Sequence, residues 1–210
     1  MRLTRSEATA AGGYAARAGL VGIAGAILWI VGLAIEYPYE LQPPAAGWLF
    51  YVDQLVFAAA MLGWLAAIAG LAWLRVAGRG KGRFTLIAWG TGIALLVLGS
   101  LISLSIRAAG SDAKGVYDNN PLFPLGGLLQ LLGSMAAGVV IARAGRLEGW
   151  RRWAVLAYAG YYVVGLFMPL VLGYEPNFVT EAVWGAAWIV VGLATISAAR
   201  SVDNSNPRRS

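Results

Sequence analysis

The chain has 210 residues, of which 59% are hydrophobic and 12% are charged, and its formal net charge is +6. Because soluble domains carry about a quarter charged residues, this composition excludes an ordinary soluble domain. The length accommodates about six membrane spans of roughly 20 residues each, so we expect a single membrane domain.

Six apolar runs are predicted, in chain order, to form transmembrane helices joined by short connections. The runs cover 18–35, 48–74, 84–106, 122–142, 153–173 and 178–199. Residues 1–17 are predicted to form a short basic leader and 201–210 a polar tail, which leaves 18–200 as the transmembrane domain. We therefore predict an all-α, polytopic membrane protein built as a six-helix bundle.

The basic residues predict which way the bundle faces. With six spans, every Lys and Arg except Arg107 and Lys114 falls on one side of the membrane. Positive residues in short loops resist translocation, so this side is predicted to be cytoplasmic and to hold both termini. The first run lacks a clean small-residue cleavage site and is expected to remain as a helix. In the absence of organelle signals, the pattern favours a bacterial plasma membrane.

Two residue types are missing altogether, because the sequence contains neither cysteine nor histidine. Their absence excludes disulfides, thiol nucleophiles, Cys/His zinc sites, histidine-ligated haem and histidine-based catalytic triads. No cofactor and no metal site is predicted. The basic residues are dispersed beside membrane helices, which favours contact with anionic membrane lipids and argues against nucleic acid as a partner.

The acidic residues gather on the opposite, predicted outer side. The residues of this group are Glu36, Glu40, Asp53, Asp112, Asp118, Glu175 and Glu181. Asp53, followed by Gln54, is predicted about 7 to 8 Å into the second span, where an ionisable group is costly and needs a partner. If the second helix begins one turn later, Asp53 is instead an N-terminal helix residue favoured by the helix dipole.

Glu181, Trp184 and Trp188 follow one another at i, i+3 and i+7, which places them on one face of the sixth helix. A carboxylate above two indoles suits a cation or a carbocation-like transition state. Interhelix packing alone would also produce this stripe. The carboxylate of Glu181 has a further structural explanation, because an acidic residue in the first turn of a helix complements the helix dipole.

Stripes of small residues predict close helix packing. They comprise Gly126, Gln130, Ser134 and Gly138 in the fourth helix, Ala18, Gly22 and Ala26 in the first, and Ala59, Gly63 and Ala67 in the second. Within the fourth stripe, Gln130 needs a hydrogen-bond partner at membrane depth. The stripes do not distinguish packing within one chain from packing between chains. In the fifth helix, Pro169 frees the carbonyl of Gly165 and predicts a kink.

Three functions are consistent with these features. The first is an outward-facing pocket that binds or transports a cation or a small amphipathic molecule. Its predicted ligand-binding residues are Asp53, Gln54, Gln130, Glu181, Trp184, Trp188 and Glu36. The second is an intramembrane acid/base enzyme acting on an isoprenoid or lipid. The third is a non-catalytic accessory subunit, with a homo-oligomer or a larger membrane complex as its partner.

The clustering of carboxylates on one side favours the first function. The same asymmetry also follows if outer loops simply lose Lys and Arg and keep their acidic residues, which cross the membrane without the same penalty.

Overall fold

The computed structural model describes residues 5–36, 47–78, 80–110, 116, 120–174 and 176–204. These residues form six helices: α1 (Arg5–Glu36), α2 (Gly47–Trp73), α3 (Lys81–Ala108), α4 (Leu122–Ala144), α5 (Arg151–Val171) and α6 (Phe178–Asn204). Each contains a segment long and apolar enough to cross a membrane. The predicted all-α bundle with six membrane helices is confirmed.

The first helix is longer than the predicted span. It begins at Arg5, inside the segment that the sequence predicts to be a leader. Alanine is the best helix former, and this segment is rich in it. Ala11 and Ala15 are also buried in the bundle, and Ala15 lies beside Gly70 of α2. Packing therefore continues the helix well before the apolar run begins.

The helices are arranged as a closed ring in chain order. Each packs against the next, and α6 returns to pack along the length of α1. Contacts across the ring, between α2 and α6, are few. The middle of the ring is consequently a space that side chains must fill.

We name the two ends of the ring by their charge. The acidic end is where α1, α3 and α5 finish and α2, α4 and α6 start, and it carries Asp53 and Glu181. The basic end is the opposite one. The arginines there whose side chains the structure describes are Arg17, Arg75, Arg83, Arg143, Arg146, Arg151, Arg152 and Arg200.

Small residues bring neighbouring helices into backbone contact. A Cβ added to Gly63 of α2 would lie 2.8 Å from the carbonyl oxygen of Val21 on α1. A Cβ on Gly22 of α1 would lie 2.6 Å from the Cβ of Ala67 on α2, and one on Gly19 would lie 2.8 Å from the carbonyl oxygen of Gly192 on α6. The stripes of α1 and α2 therefore pack against helices of the same chain.

The stripe of α4 also packs as predicted. Gly126 contacts α3, where an added Cβ would lie 2.9 Å from the carbonyl oxygen of Gly92. Gly133 lies against the backbone of Trp89, also on α3. Gly138, nearer the basic end, lies against Leu156 of α5. The small residues of α4 thus contact both neighbouring helices, α3 and α5.

Helix α5 accommodates Pro169 through a π-helical segment. Arg151–Tyr161 is α-helical, Tyr162–Phe167 is π-helical, and Met168–Val171 returns to α-helix. In a regular α-helix, a proline has no N–H to bond the carbonyl oxygen of the preceding turn. The wider π-helical turn lies directly before Pro169, where this bond would be missing. The disturbance predicted at Pro169 therefore takes the form of this π-helical segment.

We expect Gly63→Ala to lower the thermal stability of the purified protein, by about 1 to 3 kcal/mol, because overpacking would force α1 and α2 apart. Gly160→Ala is the matched control, since a Cβ there meets nothing within 4 Å. Melting of both variants in the same detergent checks the difference. Equal melting temperatures would contradict close α1–α2 packing.

Candidate functional site

Aromatic side chains fill the middle of the ring. We call this group the aromatic cluster, and it comprises Trp29, Phe57, Trp64, Trp89, Tyr158, Tyr162, Trp184 and Trp188. All six helices bring a ring to this region, since Phe123 of α4 also meets Phe57 edge to face, with ring centroids 6.2 Å apart. Lipid cannot fill this space, and helices across the ring make few contacts with one another. Large aromatic rings therefore provide the van der Waals packing in the centre.

The cluster is tightly packed around Trp188, which is fully buried. Trp188 stacks between Trp64 and Trp89, with ring centroids 4.8 and 5.1 Å apart and interplanar angles of 14° and 23°. Trp184 meets Trp64 edge to face at 4.8 Å. Offset-stacked and edge-to-face pairs are the favourable geometries for aromatic rings.

A polar hub lies within this apolar surround. The Tyr158 hydroxyl accepts hydrogen bonds from Gln130 Nε2 at 2.6 Å and from Trp184 Nε1 at 3.3 Å. Gln130 is fully buried and reaches the cluster from α4. The prediction that Gln130 needs a hydrogen-bond partner is confirmed, and that partner is Tyr158.

Two carboxylates lie together at the acidic end of the cluster. Asp53 of α2 and Glu181 of α6 are both half-buried, and their carboxyl groups interact electrostatically. Gln54 Nε2 donates a hydrogen bond to Asp53 Oδ2 at 3.0 Å. Because α2 begins at Gly47 and has no acidic residue in its first turn, Asp53 is not a residue of the helix N-terminus. Glu181 does lie in the first turn of α6.

The first turn of α6 is held in place from two sides. Trp29 Nε1 donates to the carbonyl oxygen of Glu181 at 3.2 Å. Tyr161, beside the π-helical segment of α5, donates its hydroxyl to the carbonyl oxygen of Thr180 at 2.6 Å. Asn177 Oδ1 accepts the Thr180 N–H at 3.1 Å and so caps the helix. These bonds fix the Glu181 backbone beside α1 and α5.

The structure thus brings most of the predicted binding residues near one another. Asp53, Gln54 and Glu181 occupy the acidic end, and Trp184 and Trp188 extend from Glu181 into the cluster. Gln130 joins this group through Tyr158. The side chain of Glu36 lies outside the described residues, as do Glu40, Asp112, Asp118 and Glu175.

Trp29, Trp64 and Trp89 belong to the aromatic cluster but are not among the binding residues predicted from the sequence. All three lie several residues from the ends of their helices. Tryptophan in membrane proteins is enriched at the two membrane–water interfaces. A tryptophan near the middle of a predicted span is therefore unusual, and that position could have identified these three residues as part of the buried centre.

Comparison with known proteins finds no similarity to carry over. The chain matches no protein-family model, no curated protein and no solved structure. Its function must be inferred from its own residues.

We expect Tyr158→Phe to destabilise the bundle by about 1 to 3 kcal/mol, because it leaves Gln130 and Trp184 buried without their shared acceptor. Tyr162→Phe is the matched control, since the Tyr162 hydroxyl makes only a long 3.5 Å contact with the Gly127 carbonyl oxygen. Chemical or thermal unfolding of both variants measures the difference.

The double variant Tyr158→Phe/Gln130→Leu should recover part of the loss, since removing both partners of a buried hydrogen bond costs less than removing one. Purely additive losses would contradict a coupled hub.

Proposed function

We propose that the protein binds a cation, or a small amphipathic molecule with a cationic group, at the acidic end of the aromatic cluster. The observation that carries this proposal is the pair of half-buried carboxylates, Asp53 and Glu181, contributed by two membrane-spanning helices. Ionisable groups inside membrane spans are costly and typically mark functional sites.

A positive charge suits a site that holds two carboxylates. Two carboxylates that repel each other at partial burial are stabilised by a positive charge between or beside them. Trp29 and Trp184 lie near the Glu181 turn, since the Trp29 indole N–H donates to the Glu181 backbone carbonyl and Trp184 follows Glu181 by one turn. Aromatic faces attract cations, most strongly where water is excluded.

The surroundings favour a monovalent ligand. Arg107 of α3 is half-buried, and its guanidinium lies 5.8 Å from the ring centroid of Phe50, three residues before Asp53 on α2. This charge partly offsets those of Asp53 and Glu181. Among the described residues of the acidic end, the balance of two carboxylates and one guanidinium suits a single positive charge better than a divalent ion.

Binding is favoured over free passage. The buried cluster below the carboxylates closes the middle of the ring, with Trp64, Trp89 and Trp188 fully buried. Transport of the ligand therefore requires rearrangement of the aromatic cluster, whereas binding at the acidic end does not.

We expect benzyltrimethylammonium, a monovalent amphipathic cation, to bind the wild type, and Asp53→Asn or Glu181→Gln to weaken its binding at least tenfold. Loss of one carboxylate removes about half of the negative charge that attracts the ligand, and a tenfold change corresponds to about 1.4 kcal/mol. Isothermal titration calorimetry in lipid nanodiscs measures the affinities.

Two controls accompany this titration. Glu148→Gln removes an exposed carboxylate at the basic end and should leave binding unchanged. Benzyl alcohol, which lacks the charge, should bind weakly to all variants. If the alcohol binds as tightly as the ammonium compound, the site is apolar and the proposal is wrong.

We further propose that the protein lies in a bacterial plasma membrane with its basic end in the cytoplasm and its acidic site facing outward. The support is the distribution of Lys and Arg, which gather at one end. The ligand would then reach Asp53 and Glu181 from outside the cell.

Because the chain contains no cysteine, single-cysteine variants report this orientation directly. In intact spheroplasts, a membrane-impermeant maleimide should label Ser111→Cys, between α3 and α4. Ser205→Cys, after α6, should react only once the membrane is permeabilised. The reverse pattern would show the opposite orientation.

A further inference from the structure

A groove runs along the outside of the bundle where α1 and α2 meet. Gly25 and Gly63 form its floor, since both are buried and a Cβ added to Gly63 would lie 3.0 Å from Cα of Gly25. Its walls are the exposed side chains of Val21, Leu28 and Leu62. The groove has a volume of about 300 Å³ and is lined only by Val, Ala, Gly and Leu. An empty groove forfeits dispersion contacts, so an apolar group is expected to fill it.

The groove occupies the half of the membrane nearest the basic end. Arg17 lies at the start of the first predicted span, and Leu28 is about 16 Å further along α1, at 1.5 Å per residue. Half of the hydrocarbon core of a bilayer is about 15 Å thick. The groove therefore extends from just below the headgroup level to the middle of the bilayer, which is the depth that one lipid acyl chain covers.

A charged and two aromatic side chains lie at the basic end of this groove. Tyr14, Arg17 and Val21 follow one another at i, i+3 and i+7, which places Arg17 in line with the groove on one face of α1. Tyr14 contacts Trp73 of α2, with ring centroids 5.1 Å apart. Tyr14, Arg17 and Trp73 are all exposed. Tyrosine and tryptophan are typical of the membrane–water interface, and a guanidinium there can donate two N–H groups to a phosphate.

A second copy of the chain fits the groove less well than a lipid. Two copies with the same membrane orientation, related by a two-fold axis, bring the same surface patch together. With the groove at the contact, the Arg17 side chains of both copies would approach each other, and like charges repel. An anionic lipid headgroup instead complements this charge.

We propose that the α1–α2 groove binds an anionic phospholipid, with one acyl chain against Gly25 and Gly63 and the headgroup phosphate held by Arg17 beside Tyr14 and Trp73. This goes beyond general contact between basic residues and lipid, because the groove and the arginine together define one lipid position. The site lies on the outer surface near the basic end, and it does not depend on cation binding at the acidic end.

Native mass spectrometry of the full chain in a neutral detergent measures the affinity for added dioleoylphosphatidylglycerol. Arg17→Gln removes the charge, and Ala24→Leu fills the groove from an exposed position on α1. If Ala24→Leu prevents folding, Ala59→Leu fills the groove from α2. The matched controls are Arg143→Gln and Ala136→Leu, at exposed positions of α4 that have the same sequence separation and do not line the groove.

We expect Arg17→Gln to weaken binding about fivefold, the change typical of one arginine beside an anionic lipid surface. Ala24→Leu should weaken it at least as much, because the added side chain takes the place of the acyl chain. Both α4 variants should bind as the wild type does. Dioleoylphosphatidylcholine, which has the same chains without a net charge, should bind the wild type more weakly, and Arg17→Gln should remove this difference.

Three outcomes would overturn the proposal. Equal losses in the α1 and α4 variants would show general contact with the surrounding lipid. Unchanged binding in the folded groove-filling variant would show that the acyl chain lies elsewhere. A dimer of the wild type that dissociates in Ala24→Leu would assign the groove to a second copy of the chain.

Discussion

Helices in a membrane gain no hydrophobic free energy by associating, so packing and hydrogen bonds must hold the bundle together. The chain meets this constraint in two ways. Glycines such as Gly19, Gly63 and Gly126 let neighbouring backbones touch around the ring. The middle is filled instead by rings, with Trp188 stacked between Trp64 and Trp89. Small residues thus allow close contact between neighbouring helices, and large aromatic side chains fill the space that this leaves in the centre.

Filling a membrane bundle with indoles and a phenol introduces polar groups where nothing outside the protein can satisfy them. Each buried donor or acceptor left unpaired costs about 1 to 3 kcal/mol. The Tyr158 hydroxyl accepts from Gln130 Nε2 and Trp184 Nε1, while Trp29 Nε1 donates to the Glu181 carbonyl. The remaining indoles define a donor-rich interior beneath an acceptor-rich acidic end. The two regions therefore differ in chemistry, with carboxylates at the acidic end and indole donors in the middle of the ring.

The sequence predicted the number of helices, the packing of the small-residue stripes and the need of Gln130 for a partner, because each depends on local composition or on helical spacing. It also singled out Asp53 and Glu181. Whether two such residues on different helices approach each other depends on helix rotation and on the order of helices around the ring, which no spacing encodes. For the same reason Trp64 and Trp89 could not be assigned to a common centre. The early start of α1 was missed because burial of Ala15, rather than hydropathy, extends that helix.

Helix α5 differs from its neighbours in how it is attached. Only 22% of its span is buried, compared with 56% for α6. Near the basic end it packs through Leu156 against Gly138, whereas a Cβ on Gly160, farther along the helix, would meet nothing within 4 Å. There its attachment includes the hydroxyls of Tyr158 and Tyr161, one bonded within the aromatic cluster and the other to the turn that carries Glu181. The π-helical segment follows directly. The helix with the least buried span is consequently tied by hydroxyl groups both to the aromatic cluster and to the turn that carries Glu181.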